Sequence, residues 1–245
     1  MPAVRIEVVS HCYRYASLLR YQLSSLCYWP PPEGMEVTAT VFFTPNDEAT
    51  TRTLEWFGNQ QVRGVRWNWQ ALPESRLCRR AIGRNLAALS STADWVWFTD
   101  ADYWFTSDCW KSFMRFGHIN VNIEPLVYPK KVHTQSEHGL GDNCIARARM
   151  ASGFVFADPR EFTPLRMSRA IGGIQIASGG ICREKGYLNG WRRAQTPLVE
   201  PIWQRTMEDV WYRKYLQTEG VPVRLLGVYR IRHSQAGREC PGLVL

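Results

Sequence analysis

The sequence predicts an α/β fold, a mostly parallel central sheet with helices on both faces. Three observations predict it. Short β-rich runs alternate with helix-length segments through the first 110 residues. Three of those runs end in polar residues that such a sheet would bring to one edge: Ser10, Thr44 to Asp47, and Asp100 to Asp102. The third run, Asp94 to Thr99, is almost wholly apolar and aromatic before it breaks into two carboxylates one residue apart.

Taken in order, Val4 to Val9 reads as a first strand ending at Ser10-His11. Leu19, Leu23 and Leu26 follow at helical spacing, and the proline run after Trp29 stops that helix before Gly34. Val37 to Phe43 is a second strand, and residues 47 to 58 a helix with Asp47 as N-cap. Val62 to Trp69 makes a third strand. Ser75 to Leu89 is one helix with Ile82, Leu86 and Leu89 on its apolar face, and Trp95 to Thr99 is a buried strand. Beyond residue 110 the pattern is less regular. Val121 to Val127 reads as a strand, and the polar residues 130 to 150 as a loop holding His133, His138 and Gly139. Gly172-Gly173 and Gly179-Gly180 bracket the apolar run Ile174 to Ala177. Thr206 to Leu216 is a helix with Thr206 as N-cap and Asp209 three residues on, and Val221 to Ile231 forms one or two strands.

A chain of 245 residues suits one large domain or two small ones, and 45% hydrophobic residues with 21% charged exclude a disordered protein. The net charge of +8 points to an anionic partner: a nucleoside diphosphate, a nucleic acid or an anionic membrane surface. No apolar run approaches the roughly 20 residues of a membrane span. The first residues are too charged and too short an apolar stretch for a secretory signal. The seven cysteines include no Cys-x-x-Cys pair and no zinc spacing, which fits reduced thiols. Together these lead us to expect a soluble, cytoplasmic protein.

The chemistry centres on Asp100 and Asp102. Residues i and i+2 of a strand face the same side, so a strand reaching this far would aim both carboxylates together. Such a pair repels itself unless a cation or hydrogen-bond donors intervene. Oxygen ligands suit Mg²⁺ or Mn²⁺, which commonly bridge to substrate phosphates. The alternative is a pair of turn-capping aspartates.

Further pieces fall in a telling order. Arg84-Asn85 lies on the helix before Asp100-Ala-Asp102; the glycines of 172 to 180 follow, then Met207-Glu208-Asp209 opening a helix, then His233. This order resembles the GT-A glycosyltransferases of the family-two type, which transfer a sugar from a nucleoside diphosphate. The resemblance runs from Val4 to about His233 and is strongest over 79 to 105 and 172 to 213. It implies a single GT-A catalytic domain over residues 1–245, with 1–110 binding the nucleotide sugar and 111–245 forming the acceptor side. It implies Mn²⁺ or Mg²⁺ on Asp102, with His233 as a further ligand, and Asp100 facing the ribose or the donor sugar. Arg84 and Asn85 would lie beneath the donor, Ser10 and Arg14 in the first donor loop, and Asp47 beside the base, with uridine favoured. Asp209 would be the general base of an inverting hexosyl transfer, with Glu208, Gly179, Gly180 and Trp203 around the acceptor. The acceptor hydroxyl would belong to a glycan, a lipid-linked sugar or a hydroxymethylated base in DNA.

Each assignment has a plainer reading. Arg84 and Asn85 alone would be surface residues, Arg79 and Arg80 a solvated helix face, Glu208-Asp209 first-turn acids favoured by the helix dipole, and His233 a structural histidine. A separate metal site at His133, Glu137 and His138 is disfavoured by its loop context. Two other functions compete. A nucleotidyltransferase also binds metal through carboxylates, but usually has a glycine-rich phosphate loop after its first strand, and residues 10 to 16 contain no glycine. The third reading is a non-catalytic module that binds nucleotide sugars or nucleic acid.

Overall fold

The structure is a computed structural model that describes residues 3–120, 125–200 and 207–233. The first half follows the expected alternation: β1 (Val4–His11), α1 (Ala16–Tyr28), β2 (Met35–Phe43), α2 (Glu48–Gly58), β3 (Val65–Ala71), α3 (Glu74–Leu77), α4 (Arg80–Ser90) and β4 (Trp95–Phe98). Asp47 caps α2 as expected, its side chain accepting from the Thr50 amide. The helix expected over 75 to 89 is two helices, separated at Cys78-Arg79. Its buried face also differs. Leu86 and Leu89 are both 42% exposed, while Ala81, Ile82, Gly83, Arg84, Ala87 and Ala88 turn inward. Small residues bring α4 close to the sheet: a Cβ on Gly83 would fall 2.2 Å from His11 Nε2.

The second half contributes β5 (Tyr103–Phe105), α5 (Ser107–Asn120), β6 (Leu126–Pro129), β7 (Lys131–Thr134), α6 (His138–Met150), β8 (Thr163–Arg166), β9 (Gln175–Ser178), α7 (Gly179–Lys185), α8 (Arg192–Gln195), α9 (Glu208–Leu216), β10 (Val221–Val223) and β11 (Val228–Arg230). The strand expected over 121 to 127 begins later, at Leu126, and residues 121 to 124 lie outside the described residues, as does the expected cap Thr206. The expected loop 130 to 150 is a strand and a helix. Gly141, Cys144, Ile145 and Ala148 form the buried stripe of α6. Their spacing is helical, but three of the four are small, so the stripe is faint in a hydrophobicity reading.

The central sheet has seven strands in the order β10-β6-β9-β4-β1-β2-β3. Neighbours run parallel except at β9, which is antiparallel to both β4 and β6. Strands of both halves of the chain therefore share one sheet. A second sheet, β5-β11-β7-β8, packs Tyr103 and Trp104 against Tyr229 and Arg230. Between the layers, Trp95, Trp97, Phe98, Phe105, Trp110 and Phe113 are fully buried. Each such ring removes about 150–250 Å² from water, making the strand before the two aspartates a rigid base for them. No helix among the described residues is long and apolar enough to cross a membrane, and none of the six described cysteines is in a disulfide.

From β1 the chain moves outward through β2 and β3, then returns to β1's other side with β4. That reversal opens a crevice between the carboxyl ends of β1 and β4, where open α/β sheets bind ligands.

Candidate active site at the carboxyl ends of β1 and β4

The crevice has a volume of about 630 Å³. Its floor includes His11 from the end of β1 and Asp100 and Asp102 from the turn after β4, and its walls carry Arg80, Arg230, Arg232 and His233.

Asp102 is 95% buried. Its Oδ2 accepts from Arg230 Nε at 2.9 Å and lies 4.0 Å from His233 Nε2, and its main-chain oxygen accepts from the Ile231 amide. Oδ1 is also buried and has no hydrogen-bond partner. An orphaned carboxylate oxygen of that kind is costly unless something binds it. The His233 ring is held by Tyr15, whose hydroxyl lies 3.1 Å from Nε2. Among the described residues no three His, Cys, Asp or Glu side chains converge on one point. Asp102 Oδ1 with the nearby His233 fits a divalent ion that takes its remaining ligands from substrate phosphates and water.

Asp100 turns the other way. Its Oδ1 accepts from Arg80 Nη1 at 2.9 Å and lies 3.4 Å from Arg84 Nη2. Burial works against its charge, but Arg80 and Arg84 outweigh burial and hold the carboxyl below the usual aspartate range. Arg84 is almost fully buried. It donates to the Tyr187 hydroxyl and to the Gly172 carbonyl, so it braces the crevice from behind and does not line it. Arg80, expected as a solvated residue, is the arginine that reaches the crevice; the two sit on one face of α4 at i and i+4.

Asp209 lies beside the crevice, across Gly172 from Asp100. A Cβ placed on Gly172 would stand 3.8 Å from both Asp100 Oδ2 and Asp209 Cβ. The Asp209 carboxylate pairs with Arg213 at 3.4 Å, one turn on. Its main-chain oxygen accepts from Gln175 Nε2, Gln175 Oε1 accepts from Tyr187, and the Tyr187 hydroxyl accepts from Arg84. A continuous hydrogen-bonded chain thus joins the supports of Asp100 to the backbone of Asp209. Burial, eased by Arg84, pushes the Tyr187 hydroxyl up to about 12, so it stays protonated and able to donate.

Other expected residues fall elsewhere. Glu208 does not face an acceptor: it is 1% exposed and its Oε2 accepts from the Ala81 amide, tying α9 to the first turn of α4. Asn85 holds the 186–189 turn through the Tyr187 amide and Asn189 instead of reaching beneath a donor. Ser10 is fully buried and donates to Gln22, which in turn donates to the Asp100 carbonyl; its role is to fix the turn. Asp47 spends its acceptors on Thr50 and the Arg14 amide, and Arg14 takes a positive φ of 56° there. Gly179 and Gly180 lie at the other end of the sheet. The Gly179 amide donates to Asp94 O, and a Cβ there would fall 2.0 Å from Ala93 O. Trp203 lies outside the described residues. His133 stacks on Tyr229, and His138 reaches the crevice wall as acceptor for Arg232.

The sequence reading missed Arg80, Arg230, Arg232, Tyr15 and His11. Only Arg80 carried a local signal, its helical spacing from Arg84. The others arrive by tertiary convergence of β1, α1 and β11. His11 stacks on Phe42 with both ring nitrogens buried and without hydrogen-bond partners. Burial, with Arg84 and Arg80 nearby, holds its pKa well below the ordinary histidine value, so the ring is neutral.

No family model and no curated protein matches the chain. Solved structures do. The mannosyltransferase PcManGT from Pyrobaculum calidifontis, in complex with GDP-Man and Mn²⁺, superposes with a TM-score of 0.55 at 12% identity, covering 96% of this chain and 59% of that one. The S. aureus TarS 1-349 structure in complex with UDP-GlcNAc gives a TM-score of 0.54 at 13% identity over 97% of this chain and 61% of that one. The fold is of the GT-A type. The chain spans about three fifths of the length of these structures.

Proposed function

We propose that the protein is an inverting, metal-dependent glycosyltransferase that moves a hexose from a nucleoside diphosphate sugar, UDP-linked by preference, to an acceptor hydroxyl. The observation that carries this reading is the convergence of two differently supported acids with a third. Asp102 offers a buried, unpartnered oxygen, Asp100 is clamped by two arginines, and Asp209 lies across one glycine from them. The fold supports it, as do the GDP-Man and UDP-GlcNAc bound in the two similar structures.

Asp102 and His233 would hold Mn²⁺ or Mg²⁺. Bound there, the ion would stabilise the negative charge of the departing nucleoside diphosphate. Arg80, Arg230 and Arg232 supply a cationic wall for the same phosphates, and guanidinium groups match phosphate oxygens in pairs. Asp100, kept ionised by Arg80 and Arg84, is a fixed acceptor for a hydroxyl of the ribose or the sugar. Asp209 takes the proton of the acceptor hydroxyl as that oxygen bonds to the anomeric carbon and the carbon–diphosphate bond breaks on the opposite side. Configuration inverts because the step is a single displacement. Gly172 keeps the space between Asp100 and Asp209 open, since any side chain there would enter it. The acceptor class is a glycan or lipid-linked sugar, with a hydroxymethylated DNA base as the second candidate on the strength of the +8 charge. The six described cysteines, none in a disulfide, suit a reducing, cytoplasmic setting.

The deciding experiment is calorimetric titration with a panel of UDP- and GDP-sugars, with and without Mn²⁺, followed by an assay for release of the nucleoside diphosphate. One donor should bind selectively, with metal strengthening it, and be slowly hydrolysed even without acceptor. No binding of any nucleotide sugar at millimolar concentration would end this reading.

A further inference from the structure

Arg230 differs from the other arginines of the crevice wall in pairing with Asp102 itself. It sits in β11, paired in register with Tyr103 of β5 and Thr134 of β7, so its backbone is fixed on both sides. Its Nε donates to Asp102 Oδ2 at 2.9 Å, and its guanidinium carbon lies 5.7 Å from the centre of the Tyr103 ring. The next residue, Ile231, donates its amide to the Asp102 carbonyl. One strand therefore grips Asp102 by both side chain and main chain. The guanidinium is half-exposed and lines the crevice, and among the described residues no hydrogen bond engages its terminal nitrogens.

A nearly buried carboxylate needs a cation close by. Arg230 supplies it through Oδ2 and leaves Oδ1 open. A divalent ion on Oδ1 would then stand a few ångströms from a fixed guanidinium. In a half-buried site those like charges repel strongly. A diphosphate relieves the repulsion, because its oxygens can bind the ion and the terminal nitrogens of Arg230 together.

We propose that Arg230 makes metal binding at Asp102 conditional on the donor's diphosphate, so that ion and nucleotide enter as a coupled pair. This rests on the glycosyltransferase reading for the identity of the nucleotide, but the competition between Arg230 and a metal at Asp102 does not.

The test is Mn²⁺ binding measured by electron paramagnetic resonance of the free ion, with and without UDP, on the wild-type protein and on Arg230→Gln. In the wild type, UDP should tighten Mn²⁺ by at least about fivefold, and Mn²⁺ should tighten UDP by the same factor because the coupling is reciprocal. In Arg230→Gln, Mn²⁺ alone should bind several-fold more tightly than to wild type, and the enhancement by UDP should shrink. Arg230→Lys, which keeps the charge, should retain most of the coupling. Asp102→Asn should abolish the Mn²⁺ site in every background. Equal Mn²⁺ affinity of wild type and Arg230→Gln without nucleotide overturns the proposal, as does a wild-type Mn²⁺ affinity that UDP leaves unchanged while it binds. Were neither UDP nor GDP to bind, the glycosyltransferase reading would fail, and the metal-only comparison of the two proteins would still decide Arg230's role. Should Arg230→Gln fail to fold, Arg230→Met, which also removes the charge, takes its place in the same Mn²⁺ comparison.

Discussion

In the proposed reaction Asp209 and Asp102 would serve opposite ends of one displacement, so their substitutions should separate in kinetics. Asp209→Asn removes the proton acceptor and leaves the donor's surroundings intact; kcat should fall by about 10²–10⁴-fold with donor affinity nearly unchanged. Asp102→Asn should instead abolish metal-enhanced donor binding, read by calorimetry. If Asp209→Asn weakens donor binding as much as turnover, Asp209 is not the base. At Tyr187 the expectation is structural as well as catalytic. Tyr187→Phe leaves Arg84 Nη1 and Gln175 Oε1 without their shared hydroxyl in a fully buried place. Each of the two stranded groups costs about 1–3 kcal/mol, so denaturant titration should report a loss of about 2–6 kcal/mol, with a reduced kcat. The acids were legible in the sequence because their signals are local: a dyad after an apolar run, and an acidic pair at a helix start. Side-chain direction was not. In Glu208-Asp209 the phase of α9 sends the first acid to Ala81 and the second toward Gly172, and the same ambiguity placed Ser10 and Asn85 in the crevice when they brace its walls.

The junction of α9 with α4 is sensitive to pH through Glu208. Burial holds its carboxyl above the ordinary glutamate value, against the opposing pull of Arg80, Arg84, Arg79 and the Ala81 amide. A carboxyl raised in the folded state keeps its proton longer there than in the unfolded chain. Native stability therefore falls as pH rises from the ordinary glutamate range through the folded value. Glu208→Gln retains an acceptor for the Ala81 amide and does not titrate, so its melting temperature should vary less with pH across that window and match or exceed wild type at neutral pH. Thermal melts from pH 4 to 8 measure this, and an unchanged pH slope would refute it. Strand direction is the other lesson at this scale. Both glycine pairs around Ile174 to Ala177 were visible in the sequence, but which pair meets the ligand depends on how β9 runs. Because β9 is antiparallel to β4, Gln175 pairs with Phe98 and Ser178 with Trp95. Gly172 thus arrives at the aspartates and Gly179 at the far edge. A parallel β9 would have reversed them, and nothing local in the sequence states the direction. The alternation of β1 to β4 was legible, by contrast, because each of those strands carries its own apolar pattern.

Across the whole molecule the positive charge concentrates its consequences at the crevice wall. Affinity for the proposed anionic donor should fall with ionic strength, because Arg80, Arg230 and Arg232 line the crevice. The same charge frames a test of the acceptor. A steeply salt-dependent gel shift on duplex DNA carrying hydroxymethylated bases would favour a nucleic acid, and no shift at low salt would leave glycans and lipid-linked sugars. The hydrogen-bonded chain from Arg84 through Tyr187 and Gln175 to Asp209 has a further consequence, for local unfolding. It crosses from α4 through β9 to α9, so the Asp100 side and the Asp209 side cannot loosen separately without breaking a buried bond. Native-state hydrogen exchange should then find the amides of α4, β9 and α9 opening as one unit, with a common free energy that Tyr187→Phe lowers in all three.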